Sequence, residues 1–208
     1  IQVVQCTRWK ELQEAVQYHI NLAGTIEAST TFRLLNDPGS AIAPAEFSVA
    51  DPTGGDLSRQ LAQALDAIEK CTPTGVTPLT QHVNEIYARV ASLSDSLKRE
   101  GQKAVVVLAT DGMPSDNMGQ SNQTVENEFV GALRRLQTLP VWVVVRLCTD
   151  DDSVVDYYNE LDRILEAPLE VLDDFFGEGK EISSVNPWLN YGLPLHRCRE
   201  MGYHKRSF

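Results

Sequence analysis

The sequence is poor in the signatures of the commonest catalytic and covalent frameworks. Its 4 cysteines, Cys6, Cys71, Cys148 and Cys198, lie far apart and never in a Cys-x-x-Cys pair. That spacing argues against a zinc site built from paired thiolates. Cys148 ends an apolar run and reads as a buried free thiol. The set fits a reducing compartment, which makes the cytoplasm the expected location, with two disulfides as the alternative. No Gly-x-Gly-x-x-Gly or Gly-x-x-x-x-Gly-Lys-Ser/Thr occurs to cradle phosphates, and no Gly-x-Ser-x-Gly elbow to present a serine nucleophile. His19, His82, His196 and His204 show no metal-ligand spacing. No run reaches the roughly 18 apolar residues of a membrane span. The opening "IQVVQCTRWK" has neither an initiating Met nor the form of a signal peptide, so the chain reads as a fragment or a processed product.

Positive charge is scarce as well. The net charge is −11, and residues 150–181 hold 12 acidic side chains against Arg163 and Lys180. With no basic stripe to displace counterions, nucleic acid is not an expected partner. The acidic stretch reads as a solvated helical face, with an acidic docking surface as the alternative. The Asn122-Gln-Thr sequon is short enough to arise by chance and carries little weight. What the chain does have, at 42% hydrophobic and 208 residues, is enough apolar material for one large domain or a domain with an extension.

Periodicity organises it. "TRWKELQEAVQYHINLAG" predicts a helix capped by Thr7 and stopped at Gly24. "STTFRLLND" and "AEFSVAD" predict a hairpin-like strand pair within 29–50. "DLSRQLAQALDAIEKC" predicts a helix with Leu57, Leu61, Leu65 and Ile68 on one face, and "QHVNEIYARVASLSDSLKRE" another, ended by Gly101. "KAVVVLAT" and "VWVVVRLC" are continuous apolar runs, expected to be strands buried on both faces of a parallel sheet. "QTVENEFVGALRRLQTL" and "DSVVDYYNELDRILE" predict the helices that follow them. Strands alternating with helices of this length imply an α/β fold, with a doubly wound, mostly parallel sheet flanked by helices. The alternation fails near residue 167. The expected organisation is therefore a domain over 1–166 and a C-terminal extension over 167–208, packed on it through Phe175, Phe176, Trp188 and Leu189.

In open parallel sheets, ligands bind beyond the carboxyl ends of the strands. Asp111 follows such an end in "VVVLATDGMPSD", and Gly112 leaves the backbone free to turn there. Its carboxylate could hold a cation or a proton, or merely make an Asx turn. In "PTGVTPLT", Thr77 directly before Pro78 could be an ordinary helix N-cap. The "TDDDS" run after Cys148 follows a second strand and reads as a cap for the next helix, or as a source of local negative field.

The ordered set of the "TRWKELQEAV" helix, "FRLLND" strand, "GVTPL" loop, "VVVLATDGMPSD" strand-turn and "VWVVVRLC" strand resembles the von Willebrand factor type A domain over roughly residues 1–165. The resemblance implies a Rossmann-like fold and a metal-ion-dependent adhesion site at the carboxyl edge of the sheet. It implies Mg²⁺, with Mn²⁺ or Ca²⁺ as substitutes, held by Thr77 and Asp111 and open to a carboxylate from a protein partner. The family's Asp-x-Ser-x-Ser cluster occurs nowhere in the chain. Either the strand carrying it lies upstream of Ile1, or "IQVV" is that strand and Gln5 and Thr7 replace the motif, which would leave a dead site. The expected function is a non-catalytic interaction module. The alternatives are a metal-independent structural subunit and a phosphoryl-transfer enzyme with Asp111 holding Mg²⁺.

Overall fold

The structure is a computed structural model and describes residues 7–149, 151–165 and 169–202. "IQVV", Gln5, Asp150 and His204 lie outside the described residues. The chain divides into two compact units, 1–76 and 77–208.

In the first unit, α1 (Arg8–Ile26), β1 (Thr30–Arg33), β2 (Glu46–Val49) and α2 (Leu57–Lys70) follow in order. Thr7 caps α1 as its sequence requires, accepting from the Lys10 amide at 3.2 Å. Gly24 does not end the helix. A Cβ there would lie 2.7 Å from a Leu61 methyl, so Gly24 is a packing residue that lets α2 approach. The helix runs on to Ile26 and closes with Glu27 in the left-handed region. β1 and β2 form the expected antiparallel pair, with Phe32 opposite Phe47 and Arg33 bonded to Glu46 at 2.6 Å. Ile20, Ala23, Val49, Ala64 and Ile68 make the core, and Leu57, Leu61 and Leu65 pack against it. At its end, Asn36 holds the Val76 carbonyl at 2.8 Å. A Cβ on Gly75, whose φ is +87°, would collide with that side chain at 2.5 Å.

The second unit holds α3 (Leu79–Arg99), β3 (Ala104–Thr110), α4 (Gln123–Leu136), β4 (Val141–Leu147), α5 (Asp152–Ile164), β5 (Leu169–Leu172), α6 (Phe175–Val185) and α7 (Leu193–Glu200). The whole is mixed α/β, and this unit carries a parallel sheet of order β3-β4-β5 flanked by helices. On one face Val106, Leu108, Val143, Val145 and Leu147 are buried, as are Phe129, Leu133 and Leu136 of α4. Phe129 meets Tyr158 of α5 edge-on at 6.5 Å.

β3 departs from the expectation of burial on both faces. Val105 and Val107 are each 44% exposed. The physical reason is position, since β3 is an edge strand hydrogen-bonded to β4 alone among the described strands. The second apolar run also conceals a charge. Arg146 on β4 is only 4% exposed, and it is neutralised by Glu200 of α7 at 3.0 Å.

The segment beyond 167 enters the sheet itself, as β5 paired in parallel with β4, and its later part is tied to the sheet by charge rather than by all of the aromatics expected to cover it. Phe176 and Trp188 are exposed, whereas Phe175 stacks on Tyr191 at 5.9 Å. Arg199 pairs with Glu170 of β5 at 2.7 Å and with Glu178 of α6. Burial alone would lower the Arg199 pKa, but those two carboxylates more than reverse it and raise it above the ordinary arginine value.

Candidate functional site

The site is built from two loops of the second unit. β3 ends at Thr110, whose buried hydroxyl folds the chain back on itself. It accepts from the Gly112 amide at 3.3 Å and donates to the Gly112 carbonyl at 3.1 Å. Tyr158, fully buried on α5, donates to the same carbonyl at 3.1 Å. The backbone N–H and C=O of Gly112, directly after Asp111, are thereby both held. Desolvation, then the neighbouring Tyr157, raises the Tyr158 pKa well above the ordinary tyrosine value, so the phenol keeps the proton it donates.

The second loop is clamped to the first. Ser115, buried, donates its amide to the Thr77 carbonyl at 2.9 Å and accepts the Thr77 amide on its hydroxyl at 2.9 Å. Thr77 Oγ1 falls 3.8 Å from where a Gly112 Cβ would be. Thr77 and the Asp111 turn, expected from sequence to share a site, are thus brought together.

Both ordinary explanations of these residues fail. Thr77 does not cap α3. The cap position is Pro78, with no side-chain cap bond. Among the described residues Asp111 makes no Asx turn; Asp116, further along the loop, accepts from the Met118 and Gln120 amides, both at 2.8 Å. Among the described residues, nothing hydrogen-bonds the Thr77 hydroxyl or the exposed Asp111 carboxylate. A third expectation, that the acidic run after β4 caps a helix, holds for Asp151, which accepts from the Ser153 amide at 3.0 Å.

An uncommitted hydroxyl on one loop and a solvent-facing carboxylate on the loop clamped to it are both hard-oxygen donors. Mg²⁺ takes about six oxygens and readily keeps several of them as water. Thr77 and Asp111 fit as two of those oxygens, and water or a partner would supply the rest. Thr7, the described member of the alternative first corner, spends its hydroxyl on capping α1. Among the described residues, no three His, Cys, Asp or Glu side chains gather as a metal group.

Ser115, Thr110 and Tyr158 were not singled out from sequence. Tyr158 follows Val154 and precedes Leu161 at helical spacing, so it reads simply as core. Its hydroxyl is the signal that a buried partner is needed. No family model and no curated protein matches this chain. Among the described residues, no helix is long and apolar enough to cross a membrane.

Proposed function

We propose that the chain is a non-catalytic protein-interaction module with a doubly wound fold of von Willebrand factor type A kind. On this reading it engages an acidic group of a partner through Mg²⁺ at Thr77 and Asp111. The observation that carries the proposal is the pair of uncommitted oxygens on two loops clamped together by Ser115, at the carboxyl end of β3. Structural loops normally consume their own Thr and Asp side chains in caps and Asx turns; these two are left over. Thr77 would offer its hydroxyl oxygen and Asp111 its carboxylate, while the Thr110–Tyr158 anchoring of Gly112 would hold the turn against the pull of a bound cation. A reducing, cytoplasmic setting belongs to the same reading, with Cys71, Cys148 and Cys198 in no disulfide among the described residues.

The test uses the metal alone. Mn²⁺ added to the ¹⁵N-labelled chain should broaden the amides of Thr77, Asp111 and Gly112 first, and Asp111→Ala should abolish that broadening. Equal broadening in Asp111→Ala overturns the metal site.

A metal-independent assembly role draws support from a separate observation. Phe176, Val185 and Trp188 are 71%, 74% and 81% exposed on the C-terminal segment. Partner capture that persists in EDTA and is lost in Trp188→Ala would favour it over the metal reading.

A further inference from the structure

The parallel sheet has two edges, and they are built differently. β5 has 4 residues and carries Glu170, which Arg199 engages at 2.7 Å. Shortness and charge are the usual guards of an edge strand. β3 has 7 residues with neither charge nor proline among them, and it runs against β4 residue for residue without a bulge. Among the described residues, no strand pairs with its outer edge.

The hydrogen bonds to β4 fix which groups of β3 face outward. The Ala104 amide donates to the Pro140 carbonyl, and the Thr110 carbonyl accepts from the Cys148 amide, both at 2.9 Å. Alternation along the strand therefore turns the backbone groups of Ala104, Val106, Leu108 and Thr110 toward β4. It leaves the N–H and C=O of Val105, Val107 and Ala109 directed away from it. The side chains of those outward residues share one face of the sheet. Val105 and Val107 are exposed on it, and Ala109 is half-buried.

We propose that this edge pairs with the same edge of a second copy of the chain, antiparallel about a two-fold axis at Val107. Val107 then faces Val107 across the axis, and Val105 faces Ala109 on either side of it. Each outward residue meets another outward residue, which makes about six backbone hydrogen bonds. A slip of one residue would set outward groups against inward ones. The same register places Lys103 opposite Asp111 at both ends of the pair, and opposite charges facing across strands are favourable. The Lys103 ammonium already stands on this face, 5.2 Å from the ring of Trp142, the β4 partner of Val105. An isologous pair of this kind closes at two copies. The net charge of −11 acts against it, but physiological salt screens that repulsion beyond roughly 8 Å.

The inference needs no metal, so its test is run in EDTA, where the Mn²⁺ experiment on Asp111 has no bearing. Sedimentation of the full chain in about 0.15 M NaCl reads its mass against concentration. The mass should climb toward that of a dimer between about 5 and 500 µM, the weak range of a small interface. Val107→Lys sets like charges face to face on the axis and should raise the dimer Kd about tenfold or more. Lys103→Glu, at an exposed position, sets Glu against Asp111 and should raise it about three- to tenfold. Adding Asp111→Lys to that variant restores opposite charges and should return the Kd to within about threefold of the parent. Circular dichroism matching the parent shows that each variant is folded. A chain that stays monomeric, as it would if an upstream strand or "IQVV" closed the edge, would overturn the proposal. So would a Kd unmoved by Val107→Lys, or a charge swap no tighter than Lys103→Glu alone.

Discussion

Ser115 holds Thr77 by both ends of its backbone, donating an amide to its carbonyl and accepting its amide on a hydroxyl, each at 2.9 Å. The two bonds make one ring of contacts that sets where the Thr77 side chain stands relative to Gly112. A positioning role of this kind separates from simple folding, because one bond can be removed while the other remains.

Ser115→Ala removes the hydroxyl and leaves the half-buried Thr77 amide without its acceptor, at a cost of about 1 kcal/mol. The Ser115 amide still grips the Thr77 carbonyl, so the fold should persist. The expected outcome is faster hydrogen exchange at the Thr77 amide, with unchanged exchange in β4. Mn²⁺ broadening at Thr77 should weaken more than that at Gly112.

Tyr158→Phe tests the other loop. The Gly112 carbonyl keeps Thr110 as a donor, so the loss should fall near the lower end of the usual range, about 0.5–1 kcal/mol in a urea titration. A loss above about 3 kcal/mol would mean that the ring, in contact with Phe129 and Tyr157, had lost its packing as well as its phenol bond.

The sequence made local elements legible because their signals are local. Thr7 caps the helix it precedes, and the Gly101 stop follows the end of α3 as its φ of +65° allows. What could not be read depended on partners distant in the chain. Gly24 looked like a stop because Leu61, 37 residues on, is what forbids a side chain there. Val105 and Val107 looked buried because a run of valines does not say whether its strand is central or at an edge. Thr77 looked like a cap because Thr-Pro at a helix start usually is one. Thr77 and Asp111 were found as residues, but Ser115, which joins their loops, gives no signal in a polar turn.

Arg146 and Glu200 are 54 residues apart in sequence, and both are almost completely buried. Removing one partner strands the other charge, which costs about 3–5 kcal/mol. Arg197 also donates to both Glu200 oxygens at 2.8 Å, so Glu200→Ala would take a carboxylate from two cations at once. Glu200→Ala should lower the urea midpoint steeply or leave the second unit unfolded by circular dichroism. Arg146→Met with Glu200→Leu removes both charges of the central pair and should recover most of the loss, Arg197 being less deeply buried. Equal destabilisation in the double variant would show that shape, not charge, holds α7 to β4.

His196 gives this cluster a pH dependence. The ring is 1% exposed. Its Nδ1 pairs with the Tyr191 hydroxyl at 3.0 Å, while Nε2 lies 3.6 Å from Glu200 Oε1 with no hydrogen-bond partner among the described residues. Desolvation lowers its pKa below 6.5; Glu200 and Glu178 pull it up, and Arg146 and Arg197 push it down. Below 6.5 the unfolded chain therefore binds a proton that the folded chain resists, so this contribution to stability is complete above that value. It falls as pH drops through 6.5 toward the depressed folded pKa, and levels off beneath it. Asp173 acts in the opposite sense. Burial raises its carboxyl, so it adds stability as pH falls through that raised value toward 3.8. Urea midpoints between about pH 7.5 and 5.5 should therefore decline on acidification, and His196→Gln should flatten the decline. An identical slope in that variant would place the proton uptake on another group.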